Sequence, residues 1–193
     1  MSQLTHRQHL IAILKAAYSG ELAAAYAYRG HWKSVSDQSE REGIRRIEND
    51  EWVHRQRVGE MLSTLGAGPS KIREVRMWIT GRTIGALCHL IGWFLPMYFA
   101  GRLENRNVDE YKTAAFHAGA VGLKQFESEL LVMQAVEREH ELFFLNAVSG
   151  HRLLPLVLPV FKWGASETGV PSPIINARSA DQAYEHPLSG KGD

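Results

Sequence analysis

Apolar residues recur every seven positions along two long segments of the chain, residues 38–65 and 123–148. Such rows line one face of an α-helix and predict two helices that pack through those faces. The rows of the first segment are Ile44, Glu51, Val58, Leu65 and Ile47, His54, Met61. The rows of the second segment are Leu123, Leu130, Glu137, Phe144 and Phe126, Met133, His140, Ala147. Each segment therefore places a Glu-x-x-His pair in the middle of an apolar face.

Two further segments each place one glutamate on an apolar face. The rows are Leu14, Glu21, Tyr28 in a helix expected over residues 6–34, and Leu90, Met97, Glu104, Tyr111 in an apolar segment further along. Residues 71–79 are expected to form a short basic connector. Alternation with a period of two residues does not persist anywhere in the sequence, so the pattern predicts an all-α fold.

Four inward-facing glutamates would therefore meet in the interior, together with two histidines. The six residues are Glu21, Glu51, His54, Glu104, Glu137 and His140. A carboxylate in an apolar interior is costly to ionise unless a positive charge lies beside it. Four carboxylates balance two divalent cations, and two neutral imidazoles complete a ligand set that suits iron or manganese. Ferritin-like di-iron and di-manganese bundles carry this set, so the pattern predicts a ferritin-like four-helix bundle.

Other acidic residues near these faces are expected to be solvated. They are Glu48, Glu60, Glu127, Glu129, Glu139 and Glu141. Glu127 is the main alternative to Glu104 as a metal ligand. The alternative to the whole site is that the rows are misphased by one position, so that all six residues face solvent.

Composition narrows the class of protein. The net charge is +1, and no cluster of Lys and Arg with interleaved aromatic residues suggests a nucleic-acid partner. Cys88 is the single cysteine, so no internal disulfide can form, and we expect a reducing, cytoplasmic compartment. The first residues lack the apolar stretch of a secretory signal.

Two apolar segments suggest contact with a membrane. We interpret residues 84–101 as one buried or membrane-touching helix, with a transmembrane span as the alternative. The segment Leu153 to Trp163 contains two prolines and is suited to lie on a bilayer surface. From Gly164 onward the composition is polar and rich in Gly, Ser and Pro. We therefore expect a helical domain over residues 1–163 and an irregular, flexible tail over residues 164–193.

Four stretches of the sequence resemble the demethoxyubiquinone hydroxylase family of ubiquinone biosynthesis. They are GELAAAYAYRGH, IENDEWVHRQRVGEML, the apolar segment that ends AGRLEN, and VEREHELFF. The resemblance covers roughly residues 10–148, and the order and spacing of the six candidate ligands is its most specific part. Where the family often has a His-Tyr pair after the third glutamate, this chain has Glu110-Tyr111.

The resemblance implies a di-iron monooxygenase on the inner face of a membrane. It would use O2 and electrons, with NADH as a candidate donor, to hydroxylate a quinone ring that carries a polyprenyl tail. Glu51 and Glu137 would bridge the two metals as the catalytic carboxylates, and Glu21 and Glu104 would be terminal ligands. The exposed apolar segments would also suit a homo-oligomer.

Two alternatives stay open. One is a different di-iron oxidoreductase, such as a ferroxidase, a peroxidase or a hydroxylase of a soluble substrate. The other is a helical metal-binding module without enzymatic activity.

Overall fold

The fold is made of α-helices. A computed structural model describes residues 2–164, which hold six helices and no strand. The helices are α1 (Gln3–Ser34), α2 (Gln38–Thr64), α3 (Lys71–Leu87), α4 (Phe94–Ala120), α5 (Lys124–Val148) and α6 (Leu154–Phe161). The predicted all-α class is confirmed. Apart from Gly164, the predicted tail lies outside the described residues.

The four long helices close into a ring. Helix α1 packs against α2 and α4, α4 packs against α5, and α5 contacts α2. The apolar rows that predicted α1, α2 and α5 face the interior of this ring, with Leu14, Ile44 and Leu130 fully buried. The bundle core is thus assembled from the heptad rows, and the acidic positions in those rows point inward with them.

Short polar and glycine signals set the ends of these helices. The Asp37 carboxylate accepts a hydrogen bond from the Glu40 backbone N–H at 2.9 Å and caps the start of α2. Ser2 caps α1 in the same way, one turn earlier than the helix expected from residue 6. Gly66 and Gly122 take positive φ angles of 64° and 79° just after α2 and α4, a conformation that favours glycine.

Helix α3 corrects the prediction of a basic connector over residues 71–79. These residues form its first half, and the helix lies outside the four-helix ring against α1. Gly81 and Gly85 are the residues that α3 buries. A Cβ on Gly81 would lie 2.4 Å from the Ala23 carbonyl oxygen. The helix therefore packs by backbone contact through glycines. A contact of this kind leaves no row of large apolar residues in the sequence, so the apolar pattern could not predict it.

The apolar segment at residues 84–101 is also not one helix. It breaks between α3 and α4, where Gly92 has a φ of 78°. Leu90 is 78% exposed in this turn, so the row that contains Glu104 begins at Met97 instead. Pro96 falls in the first turn of α4, where its missing N–H removes no helical hydrogen bond.

Helix α1 is, within residues 2–164, the one helix long and apolar enough to cross a membrane. The central helix of a globular bundle has the same length and composition. Because α1 packs against α2, α3 and α4, we assign its apolar residues to the bundle core.

The contact between α1 and α3 predicts that Gly30→Ala destabilises the protein. A Cβ on Gly30 would lie 2.3 Å from the Gly85 Cα, so both backbones would have to separate. We expect the free energy of unfolding to fall by about 1–3 kcal/mol, measured by chemical denaturation. The matched control is Gly20→Ala on the same helix, whose Cβ would meet nothing within 4 Å. That change should stabilise by about 0.5–1 kcal/mol, and equal effects of the two variants would contradict the prediction.

Candidate metal centre

The six residues singled out by the sequence lie together in the centre of the bundle. Glu21 comes from α1, Glu51 and His54 from α2, Glu104 from α4, and Glu137 and His140 from α5. All six are buried, and Glu51, Glu104 and Glu137 have no exposed surface at all. The alternative of misphased, solvent-facing rows is therefore wrong.

Their donor atoms form two overlapping groups. In each group one donor atom per residue lies within 4.8 Å of all the others. The first group is Glu21, Glu51, His54 and Glu137, and the second is Glu51, Glu104, Glu137 and His140. Glu51 and Glu137 belong to both groups. The arrangement is that of two adjacent cation positions with two carboxylates between them.

Several of these donor atoms lack a hydrogen-bond partner among the described residues. They are both carboxylate oxygens of Glu51, Oε1 of Glu137, and Nδ1 of His54 and of His140. His54 Nδ1 lies 2.8 Å from Glu137 Oε1, but the two atoms are not aligned for a hydrogen bond. Buried polar atoms almost always have partners. Unpaired carboxylate oxygens and imidazole nitrogens that converge on one point fit divalent cations as their missing partners.

Burial governs the protonation of three of the four glutamates. Burial raises the pKa of Glu51 well above its ordinary value, and the neighbouring carboxylates of Glu21 and Glu137 raise it further. Burial likewise raises the pKa of Glu104, with Glu137 adding to the effect, and it raises the pKa of Glu21. The charged form of these groups is therefore costly without a cation, and a bound cation would offset that cost.

Glu137 and His140 behave in the opposite way. Burial would raise the pKa of Glu137, but contacts with His140 and His54 hold it well below its usual range. Burial would lower the pKa of His140, but contacts with Asp50 and Glu137 raise it to about 10. In the absence of a cation, the protonated imidazole of His140 therefore supplies positive charge near Glu137.

Two tyrosines bind the outer glutamates reciprocally. Tyr28 on α1 donates its hydroxyl hydrogen to Glu104 on α4, and Tyr111 on α4 donates to Glu21 on α1. Each tyrosine lies seven residues after the glutamate of its own helix and contacts the glutamate of the other. The two helices thereby orient each other's carboxylates.

Two further residues hold the ligands. Asn107 donates through Nδ2 to Glu104 Oε2 at 3.1 Å and to Glu137 Oε2 at 3.4 Å. Asp50 Oδ2 lies 3.1 Å from His140 Nε2, so Nδ1 of that ring points into the cluster. The sequence analysis did not identify Asn107, although it lies three residues after Glu104 and so on the same helix face.

Two glutamates expected to be solvated are buried instead. Glu48 accepts hydrogen bonds at 2.7 Å from Arg29 Nε and from Trp32 Nε1. Glu141 accepts from Arg138 at 2.6 Å, from Asn105 at 2.9 Å and from Trp163 Nε1 at 3.0 Å. Both carboxylates have positive or polar partners outside the cluster, so their burial needs no metal.

Glu127 does not take the place of Glu104. It pairs with Lys124 at 2.8 Å in the first turn of α5, whereas Glu104 lies in the cluster. Of the two alternatives left open by the sequence, Glu104 is therefore the residue that the fold brings to the other five.

A cavity of about 920 Å³ adjoins the cluster. Glu21, Tyr28, Tyr111 and Asn107 line its inner part. It continues along α1 past small side chains such as Ala24 and reaches apolar side chains of α3 and α4, together with Phe161 and Trp163 next to α6. The cluster is thus accessible from an elongated cavity with mainly apolar walls.

Large apolar side chains are exposed on the outer helices next to this cavity. Ile72, Val75 and Ile79 follow one another along a face of α3, and Leu156 and Val160 lie on α6. Ile84 and Leu87, at the end of α3, are both partly exposed and part of the cavity wall. The apolar surface and the cavity are therefore continuous, as expected for a contact with a membrane or with another chain.

Comparison with known proteins yields one family match. A family model described as ubiquinone biosynthesis protein COQ7 matches residues 8–115, a segment that contains Glu21, Glu51, His54 and Glu104. No curated protein and no solved structure matches the chain. The family match spans more than half of the sequence and includes the helices that contribute four of the six clustered residues. The chain belongs to the COQ7 family of ubiquinone biosynthesis proteins.

Proposed function

We propose that the protein is a di-iron monooxygenase that hydroxylates the ring of a polyprenylated quinone precursor at the surface of a membrane. The observation that carries this proposal is the pair of donor groups sharing Glu51 and Glu137 at the inner end of an apolar cavity. Family membership supports a role in ubiquinone biosynthesis. The hydroxylation of a quinone ring is what the resemblance to the demethoxyubiquinone hydroxylase family implies, and the ligand set and the apolar cavity support it.

The donor groups suggest which residues would hold each metal ion. Glu21 and His54 would bind one ion, Glu104 and His140 the other, and Glu51 and Glu137 would lie between them. Two ferrous ions would supply the electrons and the coordination positions for activation of O2. Manganese has the same ligand preference, so metal content has to be measured.

The remaining residues would orient the ligands and exclude water. Tyr28 and Tyr111 fix the carboxylates of Glu104 and Glu21 through hydrogen bonds. Asp50 fixes the imidazole of His140, as carboxylates commonly do for metal-bound histidines. The apolar walls keep bulk water from the substrate ring, which protects an oxidising centre from side reactions.

The apolar cavity favours a lipid-like substrate over a soluble one. A small ferroxidase substrate would need a polar, negatively lined path, whereas the path here passes apolar side chains of α3 and α4. The net charge of +1 gives no attraction for tRNA. The continuous apolar surface would let a polyprenyl tail remain in the lipid while its ring enters the cavity. We infer that the protein acts on the cytoplasmic face of a membrane, and the family resemblance makes NADH a candidate electron donor.

The decisive experiment measures metal content and substrate-dependent O2 uptake together. Protein purified with iron should contain about two metal ions per chain, as ferritin-like di-iron bundles with this ligand set do. It should consume O2 when a reductant and a prenylated methoxyquinone are present, and release a ring-hydroxylated product identified by mass spectrometry. O2 uptake with iron alone would support a ferroxidase. Protein that binds neither iron nor manganese would contradict both the hydroxylase and the ferroxidase.

A further inference from the structure

A histidine without a described role lies in the wall of the cavity. His31 is 2% exposed and lines the same cavity as Glu21 and Tyr28. Its Nε2 is buried and has no hydrogen-bond partner in the part of the chain that the structure describes. An imidazole nitrogen that is buried and unpaired is unfavourable, because it loses hydration without a replacement. Such an atom in a ligand cavity indicates a partner that arrives with the ligand.

The aromatic neighbours hold the His31 ring in place. It stacks on Phe144 with a ring-centroid distance of 6.0 Å and an interplanar angle of 10°. It stacks on Tyr28 at 6.5 Å and 26°. Tyr28 and Phe144 are themselves stacked at 5.8 Å, so the three rings are mutual neighbours and the imidazole packs beside both of the others. Nε2 is therefore kept unpaired by the packing around it and is ordered before any ligand binds.

The position of His31 relative to the metal centre suggests which part of a substrate it meets. Tyr28 lies one turn before His31 on α1 and donates to Glu104. Tyr28 thus separates His31 from the metal ligands. A substrate ring that lay beside Tyr28 in the cavity would then have one edge towards Glu104 and the opposite edge towards His31.

We propose that His31 Nε2 hydrogen-bonds an oxygen substituent on the edge of the substrate ring that faces away from the metal centre. The inference rests on the proposed function and deepens it, because it requires a ring with oxygens on opposite sides, as in a 1,4-quinone or its hydroquinone. A carbonyl oxygen accepts a hydrogen bond, and a hydroxyl group can also donate one.

Neutral imidazole suits both oxidation states of such a ring. Burial lowers the pKa of His31 to about 4, so the ring is uncharged near neutral pH. Depending on its tautomer, Nε2 then donates to a quinone carbonyl or accepts from a hydroquinone hydroxyl. A charged side chain at this position would favour one of the two forms.

The test compares quinone binding by two variants of the full-length, metal-loaded protein. His31→Phe keeps an aromatic ring beside Tyr28 and Phe144 but has no polar atom, whereas His31→Gln keeps a donor and an acceptor. The probe is a 2-methoxy-1,4-benzoquinone with a two-isoprene tail, and binding is followed by quenching of tryptophan fluorescence. We expect His31→Phe to weaken binding about tenfold and His31→Gln to weaken it less than about threefold.

A hydrocarbon with the same tail and a methylated benzene ring is the matched control ligand. All three proteins should bind it equally, because the lost interaction is a hydrogen bond. Equal quinone binding by wild type and His31→Phe, or an equal loss for the hydrocarbon, would overturn the role of His31 and leave the proposed function standing. Wild-type protein that binds the hydrocarbon and quinone with the same affinity overturns the inference as well. Failure of the wild type to bind either ligand would refute the proposed function itself.

A second measurement needs no variant that might fold poorly. In zinc-loaded, 15N-histidine-labelled wild-type protein, the quinone should shift the Nε2 resonance of His31. The resonance of His151, which lies outside the cavity lining, should not move. An unchanged His31 resonance at saturating quinone would overturn the proposed hydrogen bond.

Discussion

Glu51→Gln should make the metal-free protein more stable and should remove the stabilisation that iron or manganese gives to the wild type. Both carboxylate oxygens of Glu51 are buried without hydrogen-bond partners, and burial beside Glu21 and Glu137 raises its pKa. An amide of the same shape carries no charge, and its N–H groups can donate to the neighbouring carboxylates. Relief of one buried unsatisfied group is worth about 1–3 kcal/mol, or roughly 2–12 °C in melting temperature for a chain of this size.

Metal ions should stabilise the Glu51→Gln variant much less than they stabilise the wild type. A ligand present at about a thousand times its dissociation constant stabilises a protein by about 4 kcal/mol. Because Glu51 belongs to both donor groups, its loss should weaken binding of both ions. Metal should therefore raise the melting temperature of the wild type and leave that of Glu51→Gln almost unchanged.

Glu48→Gln on the same helix is the matched control. Glu48 is also buried, but it pairs with Arg29 and Trp32. This variant should be less stable than the wild type both without and with metal. Metal should still raise its melting temperature by as much as it raises that of the wild type. Thermal melts of the three proteins, with and without ferrous or manganous ions, measure all of these changes. A Glu51→Gln variant that is less stable without metal and still fully stabilised by it would refute the metal centre.

The sequence allowed the buried cluster of six residues to be predicted because acidic residues interrupt apolar rows at regular positions. Glu51 and Glu137 each replace a core residue in a helix whose other row members are buried. The heptad spacing therefore determined the direction of their side chains before any fold was known. The same spacing marked Tyr28 and Tyr111, but it could not indicate that each binds the glutamate of the other helix.

The features that were missed depend on contacts without periodic signals. Helix α3 packs through Gly81 and Gly85, so its contact face has no apolar row. Glu141 is buried because Trp163, from beyond the end of α6, donates to it, a contact between distant parts of the chain. Leu90 continues a heptad row in the sequence but lies in a turn, since the chain breaks near Gly92.

The reciprocal tyrosine contacts join the two halves of the four-helix bundle. The pairs α1–α2 and α4–α5 each contribute one glutamate, one Glu-x-x-His pair and one tyrosine. Tyr28 and Tyr111 then join the pairs across the centre of the bundle. The departure from this symmetry is α3, which packs on α1 and extends the cavity on that side. The cluster of six residues is thus nearly symmetric, whereas the cavity described above adjoins it on the side of α3.

Substrate access through this cavity predicts that Gly20→Phe abolishes substrate oxidation while the metal ions stay bound. Gly20 lines the cavity beside Glu21, and a Cβ at this position would meet nothing within 4 Å. A phenyl ring can therefore occupy the cavity without disturbing the core. Because a displaced substrate loses its alignment with the metal centre, substrate-dependent O2 uptake should fall by about 100-fold or more. Stability should not fall, since replacing a helical glycine removes a cost of about 0.5–1 kcal/mol.

Ala12→Phe supplies the matched control, because Ala12 is an exposed residue of α1 outside the cavity lining. It adds the same ring to the same helix and should leave O2 uptake, metal content and melting temperature close to wild type. The measurements are iron content, thermal stability and O2 consumption with a prenylated methoxyquinone. Loss of iron in Gly20→Phe would mean that the ring disturbs Glu21 rather than the substrate. Wild-type O2 uptake by an iron-loaded Gly20→Phe variant would show that the substrate reaches the metals by another path, because the phenyl ring and the quinone ring cannot share this part of the cavity.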